Sequence, residues 1–178
     1  MKRIYMDHGA TTPMREEVLE AMLPFLKSIP SNPSSLHSFG REARKALNAS
    51  REKIALALGA SPEEIIFTSG GTEANNLAIL GIVRALSTKG KHIITSAIEH
   101  HAVLDTVKYL SQNGFNCTFL PVDQYGLVDP DEVRNAITAK TILVTIMTAN
   151  NEIGTVQPVK EIGQVCREKG VCFHTDAV

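Results

Sequence analysis

The chain has 178 residues, of which 43% are hydrophobic and 21% are charged, an ordinary composition for a soluble globular protein that buries a core. Its formal net charge is −1, and its basic residues are scattered along the chain, which argues against nucleic acid or a membrane as the main partner. No apolar run has the length of a signal peptide or a membrane span. The three cysteines have no CxxC spacing, so we expect free thiols and a cytoplasmic protein.

The first third of the chain predicts two helices. Pro13 opens the first, since proline is tolerated in a first helical turn, and Gly59 ends the second. Apolar residues recur in both at helical spacing: Val18, Leu19, Met22, Phe25 and Leu26 in the first, and Ala43, Leu47, Ile54 and Leu58 in the second. The composition of residues 31–35 predicts a loop between them.

From residue 65 onward, short apolar runs typical of strands alternate with helical patterns. The predicted strands are residues 65–67, 93–95, 117–120, 142–147 and 171–173. The predicted helices run through Leu77, Leu80 and Leu86, through Val103, Leu104, Val107 and Leu110, from Asp129-Pro130, and from Pro158 through Ile162 and Val165. This alternation predicts an α/β fold with a mostly parallel, doubly wound sheet. Because the chain stops at Val178, directly after a strand, we expect the fold to be incomplete at its carboxyl terminus.

Polar residues follow four of the five predicted strands. They are Ser69-Gly70-Gly71-Thr72 after the first, Glu99-His100-His101 after the second, Asn150-Asn151-Glu152 after the fourth, and His174-Thr175-Asp176 at the end of the fifth. Ligands of parallel sheets bind at the carboxyl ends of the strands. We therefore expect glycine-rich backbone, imidazole, amide and carboxylate groups to converge on one site.

Most of these segments have a purely structural interpretation as well. Gly71 and Thr72 fit a phosphate at a helix N-terminus, but Gly70 to Thr72 equally fit a tight turn with Thr72 as the helix cap. His100 is a candidate site residue or a helix cap, and we expect His101 to be structural. Asn150 and Asn151 are candidate ligands or turn formers before Gly154.

Among the polar residues that follow the predicted strands, Asp176 is the hardest to explain by a purely structural role. A carboxylate at the end of an apolar strand needs a positive or hydrogen-bonding partner. His174 and Asp176 share one face of the strand and form a possible metal pair, although no third ligand with suitable spacing follows. We expect all three cysteines, Cys117, Cys166 and Cys172, to be core thiols, and neither Cys166 nor Cys172 to be a nucleophile.

Six motifs resemble the cysteine desulfurases, in that family's order and over essentially the whole chain. They are Asp7-His8-Gly9-Ala10-Thr11-Thr12-Pro13, Asn32-Pro33-Ser34-Ser35-Leu36-His37, Phe67-Thr68-Ser69-Gly70-Gly71-Thr72-Glu73, Glu99-His100, Asn150-Asn151-Glu152-Ile153-Gly154 and His174-Thr175-Asp176-Ala177. The resemblance implies a pyridoxal-phosphate (PLP) enzyme of fold type I in the class V aminotransferase group. On that basis residues 1–15 are an amino-terminal segment, and residues 16–178 are the first part of the large PLP-binding domain.

The resemblance also implies roles for individual residues. Gly71 and Thr72 bind the PLP phosphate, and Asp176 pairs with the protonated pyridine nitrogen, which keeps the ring an electron sink. His100 stacks on the ring and assists proton transfer, for which an imidazole is suited. Asn151 hydrogen-bonds the phenolic oxygen, and the loop at residues 10–12 lies near the substrate.

The family's activity follows from the same resemblance. Sulfur is removed from L-cysteine, leaving L-alanine and an enzyme persulfide that a sulfur-acceptor protein uses for iron–sulfur cluster or thiocofactor assembly, and the enzyme is a homodimer. Gly71 stands where the family often has alanine, and Gly9 stands at a variable position. The lysine that holds the cofactor, a second phosphate-binding Ser/His pair and the persulfide cysteine lie beyond Val178 in the family, so we expect the 178-residue chain alone to be inactive.

Three other hypotheses remain. One is a selenocysteine lyase or an aminotransferase of the same group, and another is a non-catalytic fragment that only binds a partner. The third is a metal-dependent hydrolase that uses His174 and Asp176.

Overall fold

The computed structural model describes residues 3–27 and 32–178. It divides into two compact units, residues 1–67 and 68–178. Ser31 of the predicted loop lies outside the described residues, as do the first two residues of the predicted 1–15 segment, and residues 32–35 are turn and irregular backbone. The predicted division between residues 15 and 16 stays a prediction.

The first unit contains the two predicted helices, α1 (Glu16–Lys27) and α2 (Ser38–Leu58). The helix α1 begins three residues after Pro13, so the prediction that this proline sits in its first turn is wrong. The helix α2 ends where predicted, because Gly59 adopts the left-handed conformation (φ 66°) that closes a helix. Arg51 of α2 explains why the strand predicted at residues 65–67 is absent. Its Nε donates to the Ile65 carbonyl at 3.4 Å and its guanidinium lies 5.2 Å from the Phe67 ring centroid, so this segment packs on a helix.

The second unit is a four-stranded parallel sheet with helices between the strands. Its strands are β1 (His92–Ser96), β2 (Asn116–Leu120), β3 (Thr141–Thr145) and β4 (Cys172–His174). Its helices are α3 (Gly71–Leu86), α4 (His101–Gln112), α5 (Pro130–Ala136) and α6 (Val159–Lys169). The strand order is β2-β1-β3-β4, and every neighbouring pair is parallel, which confirms the predicted α/β class.

Alternating residues of the central strands fill two separate cores. Ile93 and Leu143 pack against α3 and α4, whereas their neighbours Ile94 and Val144 pack against α5 and α6. All four side chains are fully buried, and burying one aliphatic side chain contributes about 1.5–3 kcal/mol. Because side chains alternate between the faces of a strand, these continuous apolar runs cover both faces of the sheet, as a doubly wound fold requires.

Local sequence signals in the second unit predict where the helices lie, but not always which of their residues are buried. Asp129 caps α5 by accepting a hydrogen bond from the Asp131 N–H at 2.8 Å, with Pro130 in the first turn. The helix α3 buries Asn75, Ile79 and Val83. It leaves the predicted apolar residues Leu77 and Leu80 partly exposed, at 49% and 37%. Among residues 3–27 and 32–178, no helix combines the length and apolarity needed to cross a membrane.

The cysteines differ in burial more than predicted. Cys166 is buried on α6, but Cys172 is exposed because it opens β4, the outermost strand on that side of the described sheet. Burial raises the pKa of the Cys166 thiol to about 11. The prediction that Cys172 is a core thiol is therefore wrong.

This difference predicts selective modification of the thiols. At pH 7.5 an alkylating reagent should modify Cys172 at least about 100-fold faster than Cys166, because the thiolate is the reactive form and Cys166 is both buried and protonated. Peptide mass spectrometry after timed labelling measures both rates, and the urea-unfolded protein is the control in which the rates converge. Equal rates in the folded protein would contradict the placement of these residues.

Candidate active site

The strand order of the sheet reverses between β1 and β3, and the carboxyl ends of these two strands mark that point. The chain leaves β1 to form β2 on one side and returns to form β3 on the other side of β1. Crevices at such switch points are the usual ligand sites of open α/β sheets. The segments that follow β1, β3 and β4, together with the start of α3, carry the predicted site residues.

Hydrogen bonds join the three post-strand segments to one another. The Asn150 Nδ2 donates to the Ile98 carbonyl at 2.9 Å, which ties the segment after β3 to the segment after β1. The Thr148 N–H donates to the Asp176 carbonyl at 2.7 Å, which ties it to the segment after β4. The predicted convergence of polar strand ends is therefore present for β1, β3 and β4.

Asp176 is buried, with 8% of its surface exposed. Its Oδ2 accepts a hydrogen bond from the Asn75 Nδ2 at 2.9 Å, and its Oδ1 accepts one from the Val178 N–H at 3.1 Å. Both donors are neutral groups, so they orient the carboxylate without cancelling its charge. The arrangement suits a carboxylate whose charge partner is a bound cation.

The N-terminus of α3 begins at Gly71, with Gly70 as its cap residue and no side chain in the capping position. Thr72 is the second residue of the helix, so the alternative that Thr72 caps it is wrong. The first N–H groups of a helix have no acceptor within it, and their partial positive charge favours an anion. Ser69, just before the helix, instead donates from both N and Oγ to Glu73 (2.7 and 2.6 Å), and these bonds lower the pKa of Glu73.

His100 caps α4, as one of its two interpretations predicted. Its Nδ1 accepts a hydrogen bond from the Ala102 N–H at 3.1 Å, so in the neutral ring the proton sits on Nε2. The imidazole is exposed, and with Thr72 it lines a cavity of about 430 Å³ between α3 and α4. Capping and ligand binding are therefore compatible, because the cap occupies only one ring nitrogen.

His101 also lines this cavity, and its Nδ1 lies 3.9 Å from a carboxylate oxygen of Asp105, one turn along α4. Both side chains of that pair are largely exposed. This surface pair is worth little to stability, and the structural role of His101 stays a prediction.

The two asparagines after β3 separate in their surroundings. Asn150 is buried, and its Oδ1 accepts from the N–H groups of Glu152 and Ile153 at 2.9 and 3.0 Å, which makes it a turn former. Asn151 is exposed in that turn. Its side chain is therefore accessible at the switch point, and its ligand role stays a prediction.

Sequence reasoning missed two asparagines of α3. Asn75 orients Asp176 through its side-chain amide, while its neighbour Asn76 faces α4. The Asn76 Nδ2 donates a hydrogen bond to the Ala102 carbonyl at 3.4 Å, and the Asn76 Oδ1 accepts one from the Thr106 Oγ1 at 2.9 Å. Two consecutive asparagines inside an otherwise apolar helix are the available signal, since asparagine is a poor residue for a helix interior.

Glu99 is the other functional candidate that sequence reasoning did not select. It is 4% exposed, and its Oε1 accepts from the Ser96 Oγ at 2.6 Å and the Met147 N–H at 3.0 Å. Burial raises its pKa to about 7; the two hydrogen bonds oppose the shift, and the charge of Asp176 adds to it. Nothing in the pattern around Glu99 predicts this burial, because the residue lies in irregular backbone between its strand and the next helix.

One ring nitrogen of His174 is engaged within the sheet. Its Nδ1 is hydrogen-bonded to the Thr145 Oγ1 at 2.8 Å. Burial lowers its pKa, while the charge of Asp176 acts in the opposite direction. Within residues 3–27 and 32–178, no three His, Cys, Asp or Glu side chains are grouped so that they could hold a metal ion.

Comparison with known proteins adds the family. The aminotransferase class-V family matches residues 4–178. The chain is 59% identical over 179 residues to the cysteine desulfurase IscS of Dictyoglomus turgidum, covering 100% of this chain and 45% of that protein. It is also 59% identical over 177 residues to the IscS of Methanosarcina thermophila, covering 99% and 44%. The chain thus spans about half the length of these relatives.

Solved structures agree with the sequence relatives. A NifS-like protein matches with a TM-score of 0.96 and 42% identity, over 99% of this chain and 49% of that one. A structure described as SspA in complex with cysteine matches with a TM-score of 0.93 and 44% identity, over 97% and 50%. These likenesses extend over both described units, and the family match covers nearly every residue. The chain therefore belongs to the aminotransferase class-V family.

Proposed function

We propose that the complete protein is a PLP-dependent cysteine desulfurase. In the proposed reaction the C–S bond of L-cysteine breaks, L-alanine leaves, and the sulfur passes to an enzyme thiol as a persulfide. The observation that carries the proposal is the buried Asp176 carboxylate, held by two neutral donors at the switch point of the sheet, in a chain similar to relatives named cysteine desulfurases.

The residues present fit PLP, on which this family depends. We assign its phosphate to the first turn of α3, where Gly71 and Thr72 begin the helix and the N–H groups have no acceptor within it. We assign its pyridine nitrogen to Asp176, because a buried carboxylate oriented by neutral donors favours a protonated, cationic partner. When bound, PLP supplies an electron sink that stabilises the negative charge left at the substrate Cα.

His100 and Asn151 complete the proposed site. The Nδ1 of His100 is occupied by the helix cap, so the Nε2 is the nitrogen that carries or moves a proton, and the ring is the group that stacks on PLP. The exposed Asn151 is assigned as the donor to the phenolic oxygen. Both assignments are supported by the placement of these residues after β1 and β3, the two strands that meet at the switch point.

The partners of the complete protein follow from the same proposal. L-cysteine is the substrate, and a sulfur-acceptor protein receives the persulfide for iron–sulfur cluster or thiocofactor assembly. The proposed state is a cytoplasmic homodimer. The names of the relatives support cysteine as the substrate, and one similar structure is described as a complex with cysteine.

The test uses the complete encoded protein incubated with PLP and L-cysteine. We expect PLP to bind, with a visible absorbance band, and equimolar L-alanine and protein-bound sulfur to form. Release of alanine from L-selenocysteine alone, or transfer of the amino group to a 2-oxo acid, would assign the protein to another activity of the group. Absence of PLP binding would overturn the proposal and favour a partner-binding role.

A further inference from the structure

The carboxyl group of Glu99 lies where the segment after β1 meets the segment after β3. Its Oε1 receives two hydrogen bonds, from the Ser96 Oγ within its own segment and from the Met147 N–H in the other. Its Oε2 is buried and has no hydrogen-bond partner within the described part of the chain. A buried carboxyl group that stays half-unpaired is unusual for a residue that only fills space.

Short connections lead from this carboxyl group to both sides of the proposed PLP site. On one side the next residue is His100, the cap of α4. On the other side Met147 is followed by Thr148, whose N–H donates to the Asp176 carbonyl at 2.7 Å. A hydrogen bond from Met147 to Glu99 therefore couples the position of His100 to that of Asp176.

We propose that Glu99 is a positioning residue of the PLP site, which holds the segment after β3 against the segment after β1 and so sets His100 and Asp176 relative to each other. The inference rests on the proposed function, since it assigns the purpose of this link to PLP binding. Glu99 itself need not touch the cofactor, because it acts through Met147 and Thr148.

The electrostatics of the pair agree with this role. Burial is the main cause that raises the pKa of Glu99 to about 7, and the charge of Asp176 adds to it. A large share of Glu99 is therefore uncharged at neutral pH. A neutral acid keeps both hydrogen bonds to Oε1 without placing a second negative charge beside Asp176. Glutamine, which is neutral and nearly the same shape, should therefore replace it.

The test compares Glu99→Gln with Glu99→Met in the complete encoded protein. Both side chains match glutamate in length, but only glutamine offers an acceptor to Ser96 and Met147. Titration of the apo protein with PLP should give a dissociation constant within about 2-fold of wild type for E99Q. It should be at least about 10-fold weaker for E99M, which removes the acceptor that ties the segment after β3 to the segment after β1. Hydrogen exchange of the Met147 amide should be faster in E99M alone.

Each result decides between the alternatives. Equal PLP affinity in E99Q and E99M would overturn the positioning role and leave only packing, whatever the amide exchange shows. If E99M does not fold, Ser96→Ala removes one of the two donors to Oε1; a loss of about 3-fold in PLP affinity is expected, and an unchanged affinity overturns the role. Glu132→Gln, at an exposed carboxylate of α5, is the control and should match wild type. A wild-type protein that binds no PLP would instead overturn the proposed function.

Discussion

In the complete protein, replacing Asp176 by asparagine should lower kcat/KM for the proposed substrate L-cysteine by roughly 10²–10⁴-fold, because breaking a buried charge pair costs about 3–5 kcal/mol. The substitution keeps an oxygen that accepts from Asn75 or from the Val178 N–H, the two donors that hold Asp176 now. The fold should therefore survive while the negative charge is lost. We also expect weaker PLP binding and a changed absorbance band, since the proposed partner of the ring nitrogen loses its negative charge.

The measurements are steady-state alanine formation and titration of the apo protein with PLP. Asp131→Asn is the matched control, because it removes an exposed carboxylate in the first turn of α5 and should leave both quantities within about 2-fold of wild type. An Asp176→Asn protein with unchanged PLP affinity and spectrum would show that this carboxylate is not the charge partner of the cofactor.

Glu99→Gln should make the stability of the protein less dependent on pH. The pKa of Glu99 is raised from its ordinary value of 4.5, which applies in the unfolded chain, to about 7 in the folded protein. Between these two pH values the folded state holds a proton that the unfolded state releases. The stability contribution of Glu99 is therefore fully present below pH 4.5 and is lost as the pH rises through about 7. The loss over this window is roughly 3 kcal/mol for such a shift.

Urea unfolding of wild type and E99Q between pH 5 and pH 8 measures the effect. The difference in the free energy of unfolding should change in favour of E99Q by about 2–3 kcal/mol across that range. The exposed control Glu132→Gln should give a pH profile parallel to that of wild type. Parallel profiles for E99Q and wild type would mean that Glu99 titrates normally in the folded protein.

The features that could be predicted from the sequence are those with a local cause. The end of α2 follows from the conformational freedom of Gly59, and the start of α5 follows from Asp129 and Pro130. The continuous apolar run around β3 predicts a strand buried on both faces, which its five buried residues confirm. The predicted strand at residues 65–67 is wrong because its short apolar run did not reveal that Arg51 would take its backbone carbonyl.

The candidate site was predicted as a set of positions but not as a set of contacts. Placing Asp176 at the end of the last strand also predicted that it needs a partner, but not that the partner is Asn75, 101 residues away. Glu99 likewise accepts a hydrogen bond from Met147, 48 residues further along the chain. Contacts between residues so far apart in the chain form only when the sheet assembles, so they cannot be predicted from the periodicity and spacing of the sequence.

The two neighbouring asparagines of α3 have a consequence for which changes this helix tolerates. Consecutive residues of a helix point about 100° apart, and here Asn75 reaches Asp176 while Asn76 reaches α4. Inserting or deleting one residue between Gly71 and Asn75 would turn both asparagine side chains by about 100° around the helix axis, away from their partners. Substitutions at the exposed Leu77 or Leu80 leave the directions of both asparagines unchanged. Variation in this segment should therefore occur by exchange of residues at constant length.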